Sequence, residues 1–408
     1  MGDARRWLCL LLVCGTYFLA FFQRTMIVPF FPEMLGEFGI GYAKVGGLLS
    51  AFFIGYALFQ LPSGLLADRY DSSPLLRAGL VLLGGAGAVF LVTANYAVAW
   101  GARFAGGVAS AMMYAPGTRL VAASFPASER GLAISLLEIA GGLATVASLS
   151  VLPALALRTA RTAPMAVTTA LALPVLAFAF WLRPSTGVSR SSAPGLADYR
   201  RLAQKGWREL VLLVGLAFTG LLPVNVVLGW LPTFFTEAAG FTKAGAAAAM
   251  AALMIAYVVV APFAGKLSDL YGRRGILLVS CVVQMLAFAG LFLVKAVGPQ
   301  AFAVAIVVGI GNALAVTPMN TLAAELFGVT HSAVMVSLMT TSAQAGSAIG
   351  NYACGVLLDY GGGFASIWTM LIAVLAVRLV ITRGIRETRA VPVPASGRMP
   401  QRLREGEP

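Results

Sequence analysis

Three ionisable residues lie deep within apolar stretches of this sequence: Arg24, Arg103 and Glu138. Inside a membrane-spanning helix an ionisable group costs several kcal/mol unless it faces water or a partner, so each is a candidate for ligand binding or proton transfer. Tyr17 and Phe21 precede Arg24 at helical spacing, which predicts an aromatic face beside its guanidinium. Since an unpaired arginine at a binding site favours an anion, we interpret Arg24 as an anion anchor. The alternative is an arginine that reaches the outer headgroups.

Glu138 is the acid that best fits a proton carrier. It follows Glu129 by nine residues, which places it about 13 Å along a helix rising about 1.5 Å per residue, close to the membrane midplane. There a lone carboxylate takes up a proton or pairs with an arginine. We therefore predict that Glu138 carries the coupling proton. A static ion pair with Arg24 or Arg103 is the alternative.

Polar residues on other predicted helices add candidates for a substrate site. Gln344 belongs to a stripe in which Ser337, Gln344 and Asn351 recur every seven residues. Such side chains also join neighbouring helices by hydrogen bonds, and that alternative stays open. Arg119 and Arg378 lie near predicted helix ends, where we expect them to reach the headgroups. The predicted substrate-binding set is Arg24, Tyr17, Tyr114, Asn225 and Gln344.

The composition indicates an integral membrane protein. Hydrophobic residues make up 59% of the 408 residues and charged residues only 11%, which no soluble globular core requires. The formal net charge of +13 resides mostly in short connecting segments, so it predicts orientation in the bilayer and no nucleic-acid partner. The four cysteines are scattered, and no set of metal ligands or catalytic groups is grouped in the sequence. We expect neither an enzyme nor a metal site or cofactor.

The apolar runs predict an all-α membrane protein with twelve transmembrane helices in two six-helix bundles. The predicted domains are an N-terminal bundle at 1–182, a cytoplasmic linker at 183–208, a C-terminal bundle at 209–384 and a disordered tail at 385–408. The runs fall at about 7–31, 44–66, 74–93, 97–124, 129–153 and 162–182, then at about 209–236, 243–266, 274–296, 299–325, 329–357 and 362–384.

A short charged segment occurs twice, once in each half. The segment from Gly64 to Asp68 and Arg69 has a counterpart from Gly265 to Asp269, followed by Arg273 and Arg274. Both the glycines and the aspartates are 201 positions apart. Four further pairs keep nearly this offset: Pro32 and Pro232, Pro62 and Pro262, Pro116 and Pro318, and Phe125 and Phe327. A repeat of half the chain, built from membrane-length segments, is typical of secondary transporters.

On these motifs the chain resembles the major facilitator superfamily over nearly its whole length. The resemblance implies two bundles that expose a central site alternately, and a cytoplasmic gating motif after the second helix of each half. It places that motif at Gly64, Asp68, Arg69, Gly265, Asp269, Arg273 and Arg274. The first copy has Asp71, Ser72 and Ser73 where the family has Gly-Arg-Arg, and the second has Leu270 in place of Arg. Both departures weaken or divide the salt-bridge lock of the family.

Two local resemblances assign further roles. Arg103 to Gly107 is similar to the Arg-x-x-x-Gly signature of the fourth helix of the family, which implies proton transfer or packing for Arg103. The segment from Gln23 and Arg24 to Pro32 is similar to the anion:cation symporter branch, as is Gly229-Trp230-Leu231-Pro232-Thr233-Phe234. That branch often has aspartate where Gln23 stands, so Arg24 lacks this partner.

The distribution of Lys and Arg predicts that both termini are cytoplasmic. With that orientation twenty of these residues lie inside, four lie within spans, and five lie outside, namely Lys44, Arg158, Arg161, Lys243 and Lys295. We therefore expect a monomeric, multi-pass protein of the cell membrane.

The sequence favours proton-coupled uptake of a small organic anion. One alternative is a proton-coupled exporter of lipophilic or drug-like compounds, although helix five lacks the Gly-Pro pair typical of drug antiporters. A non-transporting membrane receptor or scaffold is the alternative from another class, and it would normally add a soluble sensing domain.

Overall fold

The described part of the chain is helical. A computed structural model describes residues 3–153, 166, 169–183 and 196–387; the side chains at 3, 68–69, 127–128, 196–206, 320–321 and 323–336 lie outside that description. One 3-10 turn, Val28–Phe30, and one π turn, Ala147–Val151, interrupt the helices. The helices are α1 Asp3–Thr25, α2 Phe31–Phe38, α3 Tyr42–Arg69, α4 Ser72–Val92, α5 Tyr96–Ser124, α6 Ala127–Val146, α7 Ala172–Leu182, α8 Leu196–Glu237, α9 Lys243–Tyr271, α10 Arg273–Leu291, α11 Pro299–Asp359 and α12 Gly363–Gly384.

Nine segments of the described residues are long and apolar enough to cross a membrane. Two remaining helices depart from that pattern. α5 is long enough but carries Arg103 and Arg119, and α7 has 11 residues next to residues outside the description. Together with the second half of α11, they complete the two sets of six that the apolar runs predict.

Two predicted boundaries differ from the structure. α8 begins at Leu196, inside the predicted linker at 183–208, because the segment after Leu196 is rich in helix-forming Ala, Leu, Arg and Lys. The remainder of that linker, and the predicted tail beyond residue 387, lie outside the described residues. No non-helical residue marks the predicted break at 326–328, because the helical assignment is continuous over Pro299–Asp359.

The α11 run reverses direction all the same. The ring of Phe302, near its start, lies 6.0 Å from Phe241, and Asp359 at its end bonds to the start of α3. The middle of the run, at Met319 and Met339, instead packs in an apolar cluster with Ile385, where α12 ends. The predicted tenth and eleventh helices are therefore its two arms.

The internal repeat is visible in a close contact between two helices that occurs at equivalent positions of both bundles. A Cβ at Gly107 on α5 would overlap the carbonyl oxygen of Phe52 on α3, and a Cβ at Gly309 on α11 would overlap that of Leu253 on α9. Gly309 follows Gly107 by 202 positions, and Leu253 follows Phe52 by 201. Glycine allows this backbone approach in both bundles.

We expect Gly107→Ala to destabilise the protein, because its methyl group has no room against the Phe52 carbonyl. Overpacking of this kind costs about 1–3 kcal/mol. The measurement is the apparent melting temperature of the purified protein. Gly85→Ala is the matched control, since nothing lies within 4 Å of a Cβ there and alanine has the higher helix propensity. Equal melting temperatures for both variants would contradict the packing argument.

The two bundles meet at the end of the molecule where α3 begins. The Asp359 carboxylate, on α11, accepts hydrogen bonds from the backbone N–H groups of Tyr42 at 2.8 Å and Ala43 at 2.9 Å. These are two of the N–H groups that a helix start leaves without an intrahelical acceptor. The Tyr42 hydroxyl also donates to Glu237 on α8 at 2.8 Å. One bundle thus caps a helix of the other.

Further contacts extend this junction inward. Glu33 on α2 forms an ion pair with Lys243 on α9. The hydroxyl of Ser50 on α3 donates to the carbonyl of Ala348 at 2.6 Å. We call this junction the closed end; its members are Glu33, Tyr42, Ala43, Ser50, Glu237, Lys243, Ala348 and Asp359.

We expect Asp359→Ala to loosen the closed end, since it removes both hydrogen bonds to the start of α3. Hydrogen bonds to charged groups contribute about 1.5–3 kcal/mol each, so the separated state should become at least about tenfold more populated. The measurement is the alkylation rate of Ser50→Cys, a buried position behind the cap. Thr369→Ala is the control, because that hydroxyl bonds Ala365 on its own helix. An unchanged alkylation rate in the Asp359 variant would contradict the capping role.

Candidate functional site

Arg24 lies in the last turn of α1 on an aromatic face. Its guanidinium carbon is 4.4 Å from the centroid of the Phe21 ring, and the rings of Phe21 and Tyr17 are 6.3 Å apart. Positions 17, 21 and 24 share one side of the helix, as their spacing predicts. A cation above a ring face is attracted by the ring quadrupole, so Phe21 holds the guanidinium in place.

Tyrosines from α3 and α5 extend this aromatic face. The rings of Tyr17 and Tyr114 stack at 5.0 Å, and the ring of Tyr56 meets Tyr114 edge-on at 6.2 Å. The hydroxyl groups of Tyr17 and Thr118 are 2.6 Å apart. Tyr17 is buried and held on several sides, whereas Tyr114 is half-buried. The structure therefore brings together the predicted residues Arg24, Tyr17 and Tyr114.

Glu138 on α6 belongs to the same cluster. The Tyr114 hydroxyl donates to its carboxylate at 3.5 Å, and Glu138 interacts electrostatically with Arg24 and with Tyr257 of α9. Glu138 is exposed, whereas Phe21, Arg24, Tyr114 and Tyr257 of the same cluster are half-buried. We call the space onto which it opens the inter-bundle hollow, because residues of both bundles border it: Phe21, Arg24, Tyr114, Glu138 and Tyr257.

Arg24 has no carboxylate of its own. Its Nε atom is buried without a hydrogen-bond partner, and no acid among the described residues lies within ion-pair distance. The side chain of the neighbouring Gln23 donates to the Leu83 carbonyl at 3.4 Å. The predicted alternative of a static ion pair between Glu138 and Arg24 is thus absent from this part of the structure. The anion-binding role of Arg24 stays a prediction.

Arg103 is fully engaged with backbone. Its guanidinium donates to the carbonyls of Gln23 at 2.5 Å, Arg24 at 2.8 Å and Leu48 at 3.3 Å. Two of these acceptors are carbonyls at the C-terminal end of α1, which a helix leaves without intrahelical donors. Arg103 therefore fixes the turn that carries Arg24. This geometry favours the packing role over proton coupling, and the coupling role stays a prediction.

The predicted polar residues of the C-terminal bundle lie apart from this cluster. Asn225 on α8 donates to the Ser347 hydroxyl at 2.9 Å and to the Leu221 carbonyl at 3.2 Å. Gln344 is buried, and its Oε1 atom has no hydrogen-bond partner among the described residues. No described contact joins either residue to Arg24. Asn225 thus ties α8 to α11, and a substrate role for both stays a prediction.

The expectation that Arg378 reaches the headgroups is wrong. Arg378 is fully buried inside the C-terminal bundle, where its Nη1 atom donates to Gln284 at 3.2 Å. Gln284 in turn donates to Asn312 at 2.8 Å. The prediction used depth along the helix alone, whereas the helical face of Arg378 turns toward α10 and α11 rather than toward lipid.

The second copy of the gating motif is engaged within its own bundle. Arg273 pairs with Asp269 and donates to the Ser268 hydroxyl at 2.6 Å. The backbone N–H of Arg274 donates to Glu387 at 3.2 Å, and Gly265 lies beside Thr317. In the first copy nothing lies within 4 Å of a Cβ at Gly64, and the side chains of Asp68 and Arg69 lie outside the description. The gating role of both copies stays a prediction.

Tyr56 and Tyr257 were not among the predicted site residues, although both interact electrostatically with Arg24. The signal was present in the repeat, since the two tyrosines are 201 positions apart, the same offset as Gly64 and Gly265. Each follows the first residue of its helix by 14 positions, about 21 Å along the axis. They are therefore equivalent positions of the two bundles.

Two repeated helical bundles that meet at one end and enclose a charged hollow define a multi-pass membrane protein of the transporter class. A family model described as Major Facilitator Superfamily matches residues 13–351 and also residues 213–404. The chain therefore belongs to the major facilitator superfamily.

Individual proteins agree with this assignment. The chain is 28% identical over 300 residues to the probable sulfoacetate transporter SauU of Cupriavidus necator, a match that covers 66% of each chain. It is 25% identical to the gallate transporter of Pseudomonas putida, over 95% of this chain and 94% of that one. The crystal structure of the nucleoside transporter NupG has a TM-score of 0.76 at 13% identity, and the match covers 93% of this chain and 100% of that one. The predicted family, fold and transporter class are confirmed, and the relatives are transporters rather than enzymes.

Proposed function

We propose that this protein takes up a small organic anion across the cell membrane, with the hollow opening alternately to either side. The observation that carries the proposal is Arg24, a deep cation without an acidic partner among the described residues. A carboxylate or sulfonate supplies paired acceptor oxygens that match the donors of a guanidinium. Such a ligand would neutralise Arg24 where the protein does not.

The names of the relatives support an anionic substrate. Sulfoacetate and gallate, the compounds in the names of the two relatives, both carry a carboxylate. The match to the sulfoacetate transporter spans about two thirds of that protein, so its substrate is a guide to chemical class only. Both compounds are therefore negatively charged, and a negatively charged ligand is what an unpaired Arg24 would bind.

Glu138 gives the proposal a route to proton coupling. An ionised Glu138 lowers the positive potential that an anion meets at Arg24, because the two side chains interact electrostatically across the hollow. A proton on Glu138 removes that competing charge. Proton binding and anion binding therefore favour each other, which is the linkage that a symporter needs.

The direction of opening follows from the predicted orientation. With both termini in the cytoplasm, the closed end lies at the outer face of the membrane and the hollow opens inward. Release to the cytoplasm is then the step this conformation serves. Opening to the outside requires Asp359 to leave the start of α3 and Lys243 to leave Glu33.

The test is uptake by the purified full-length protein in liposomes. The panel comprises sulfoacetate, benzoate, D-glucarate, phosphate and tetraphenylphosphonium, each with and without an acidic exterior. We expect at least one organic anion to accumulate under the proton gradient, above liposomes without protein. Movement of tetraphenylphosphonium with no uptake of any anion would contradict the proposal and favour the exporter.

A further inference from the structure

The equivalent tyrosines of the two bundles belong to the charged cluster around Arg24. Tyr56 on α3 and Tyr257 on α9 both interact electrostatically with the guanidinium and with Glu138. The repeat therefore contributes one aromatic ring from each bundle to the same charged group. The aromatic rings can select a ligand by its shape, whereas Arg24 selects it only by its charge.

The packing of α9 explains how Tyr257 reaches the N-terminal bundle. α9 packs against α6 and the π turn that follows it, and the Ser150 hydroxyl donates to the Ala247 carbonyl at 3.0 Å. Tyr257 follows Ala247 by ten residues on α9, and Glu138 precedes Ser150 by twelve residues in the segment of α6 and its π turn. Because the two helices run in opposite directions, both residues lie on the same side of the Ser150–Ala247 contact. Their distances from it along the helix axes are similar, about 15 Å for Tyr257 and about 18 Å for Glu138.

The accessible walls around Arg24 are aromatic. Phe21, Tyr114 and Tyr257 are half-buried, so each keeps part of its surface accessible. Tyr17 and Tyr56 are buried behind them, at 2% and 8% exposure. The buried rings hold the accessible ones, since Tyr17 stacks on Tyr114 and Tyr56 packs against its edge.

We propose that the inter-bundle hollow selects a planar aromatic monocarboxylate, with its carboxylate on Arg24 and its ring between Tyr257 of one bundle and Tyr114 and Phe21 of the other. This inference rests on the proposed function. Aromatic rings prefer offset-stacked and edge-to-face neighbours, which these walls supply. Tyr257 thereby becomes a specificity-determining residue contributed by the C-terminal bundle.

Charge and hydrogen bonding narrow the ligand in the same direction. Glu138 faces the cation across the hollow, so a second negative charge on the ligand would meet a carboxylate. Two tyrosine hydroxyls of the cluster already have protein partners, since Tyr114 donates to Glu138 at 3.5 Å and the Tyr17 hydroxyl lies 2.6 Å from that of Thr118. A polyhydroxylated acid requires many hydrogen-bond partners, and its hydroxyl groups lose affinity when they are buried without them. A flat, largely apolar monoanion makes no such demand.

The experiment compares benzoate with cyclohexanecarboxylate, a saturated monocarboxylate of similar size and equal charge. Binding is measured by calorimetry on the purified full-length protein and its variants. We expect benzoate to bind about two- to twelvefold more tightly, because an aromatic pair adds about 0.5–1.5 kcal/mol beyond area burial. Tyr257→Leu should reduce the preference, since Tyr114 and Phe21 remain, and Tyr257→Phe should keep it in full. Val258→Leu, an exposed neighbour on the same helix, should behave as wild type.

Equal affinity for the two ligands in the wild type would overturn the inference, and so would a preference that Tyr257→Leu leaves unchanged. Arg24→Ala separates this inference from the function on which it rests. If Arg24→Ala loses both carboxylates but the wild type shows no aromatic preference, the anion site stands and the aromatic selection fails. If Arg24→Ala binds both as tightly as the wild type, the anion site fails as well.

Discussion

Arg24→Ala is expected to lower anion uptake at least about 30-fold with no loss of folded protein. Removing one partner of a desolvated charge pair costs about 2–5 kcal/mol, and the pair exists only when ligand is bound. In the free protein the cation has no carboxylate partner among the described residues, so its removal takes away an unfavourable buried charge. The anion uptake of Arg24→Lys should lie between that of the wild type and that of Arg24→Ala, because lysine keeps the positive charge but lacks the planar guanidinium.

The measurement is initial uptake by liposomes at equal protein content, with melting temperatures alongside. Arg77→Ala is the matched control, since Arg77 bonds Ser73 on its own helix. A structural role would instead lower the melting temperature of the Arg24 variant. Wild-type uptake by Arg24→Ala would end the anchor hypothesis.

Glu138→Gln is expected to abolish proton-driven accumulation while exchange continues. Glutamine keeps the size of the side chain and an acceptor for the Tyr114 hydroxyl, but it binds no transferable proton. The hollow then stays in the state that favours anion binding. Net uptake should become independent of the pH gradient, and counterflow of labelled against unlabelled anion should remain within about twofold of wild type.

The matched control is Glu129→Gln on the same helix, where the native carboxylate pairs with Arg6 at 3.2 Å. That variant should keep its response to the pH gradient. Equal loss of uptake and counterflow in Glu138→Gln would assign Glu138 a structural role. Accumulation that still follows the pH gradient would place the coupling proton elsewhere.

Sequence periodicity predicted the features that depend on helical spacing and on the repeat. The face shared by Tyr17, Phe21 and Arg24 follows from three and four residue steps along one helix. The repeat of half the chain was predicted from the sequence, and in the structure the close helix approach at Gly107 recurs at Gly309. Each of these features depends on the spacing within one helix or on the offset between the two halves. They can therefore be predicted from the sequence without knowledge of how the helices pack.

The contacts between helices could not be predicted from the sequence. Depth along α12 placed Arg378 near the membrane surface, but its helical face buries it on Gln284. Arg103 was predicted to lie deep in its helix, and only the fold reveals that its guanidinium is bonded to backbone carbonyls of α1 and α3. The pairing of Tyr56 with Tyr257 was accessible from the repeat, but their convergence on Arg24 required the packing of α9 on α6.

The charge of the hollow can be measured without a known substrate. Tyr257→Cys, in a background without Cys9, Cys14, Cys281 and Cys354, is reacted with an anionic and a cationic methanethiosulfonate of similar size. Leu11→Cys, on an exposed apolar face of α1, is the lipid-facing control and should react with neither reagent. We expect the anionic-to-cationic rate ratio at position 257 to fall at least about threefold when Arg24→Ala is added, since a unit charge acts on the two reagents with opposite sign. No reaction at position 257, or the same ratio with and without Arg24, would contradict a hollow governed by that cation.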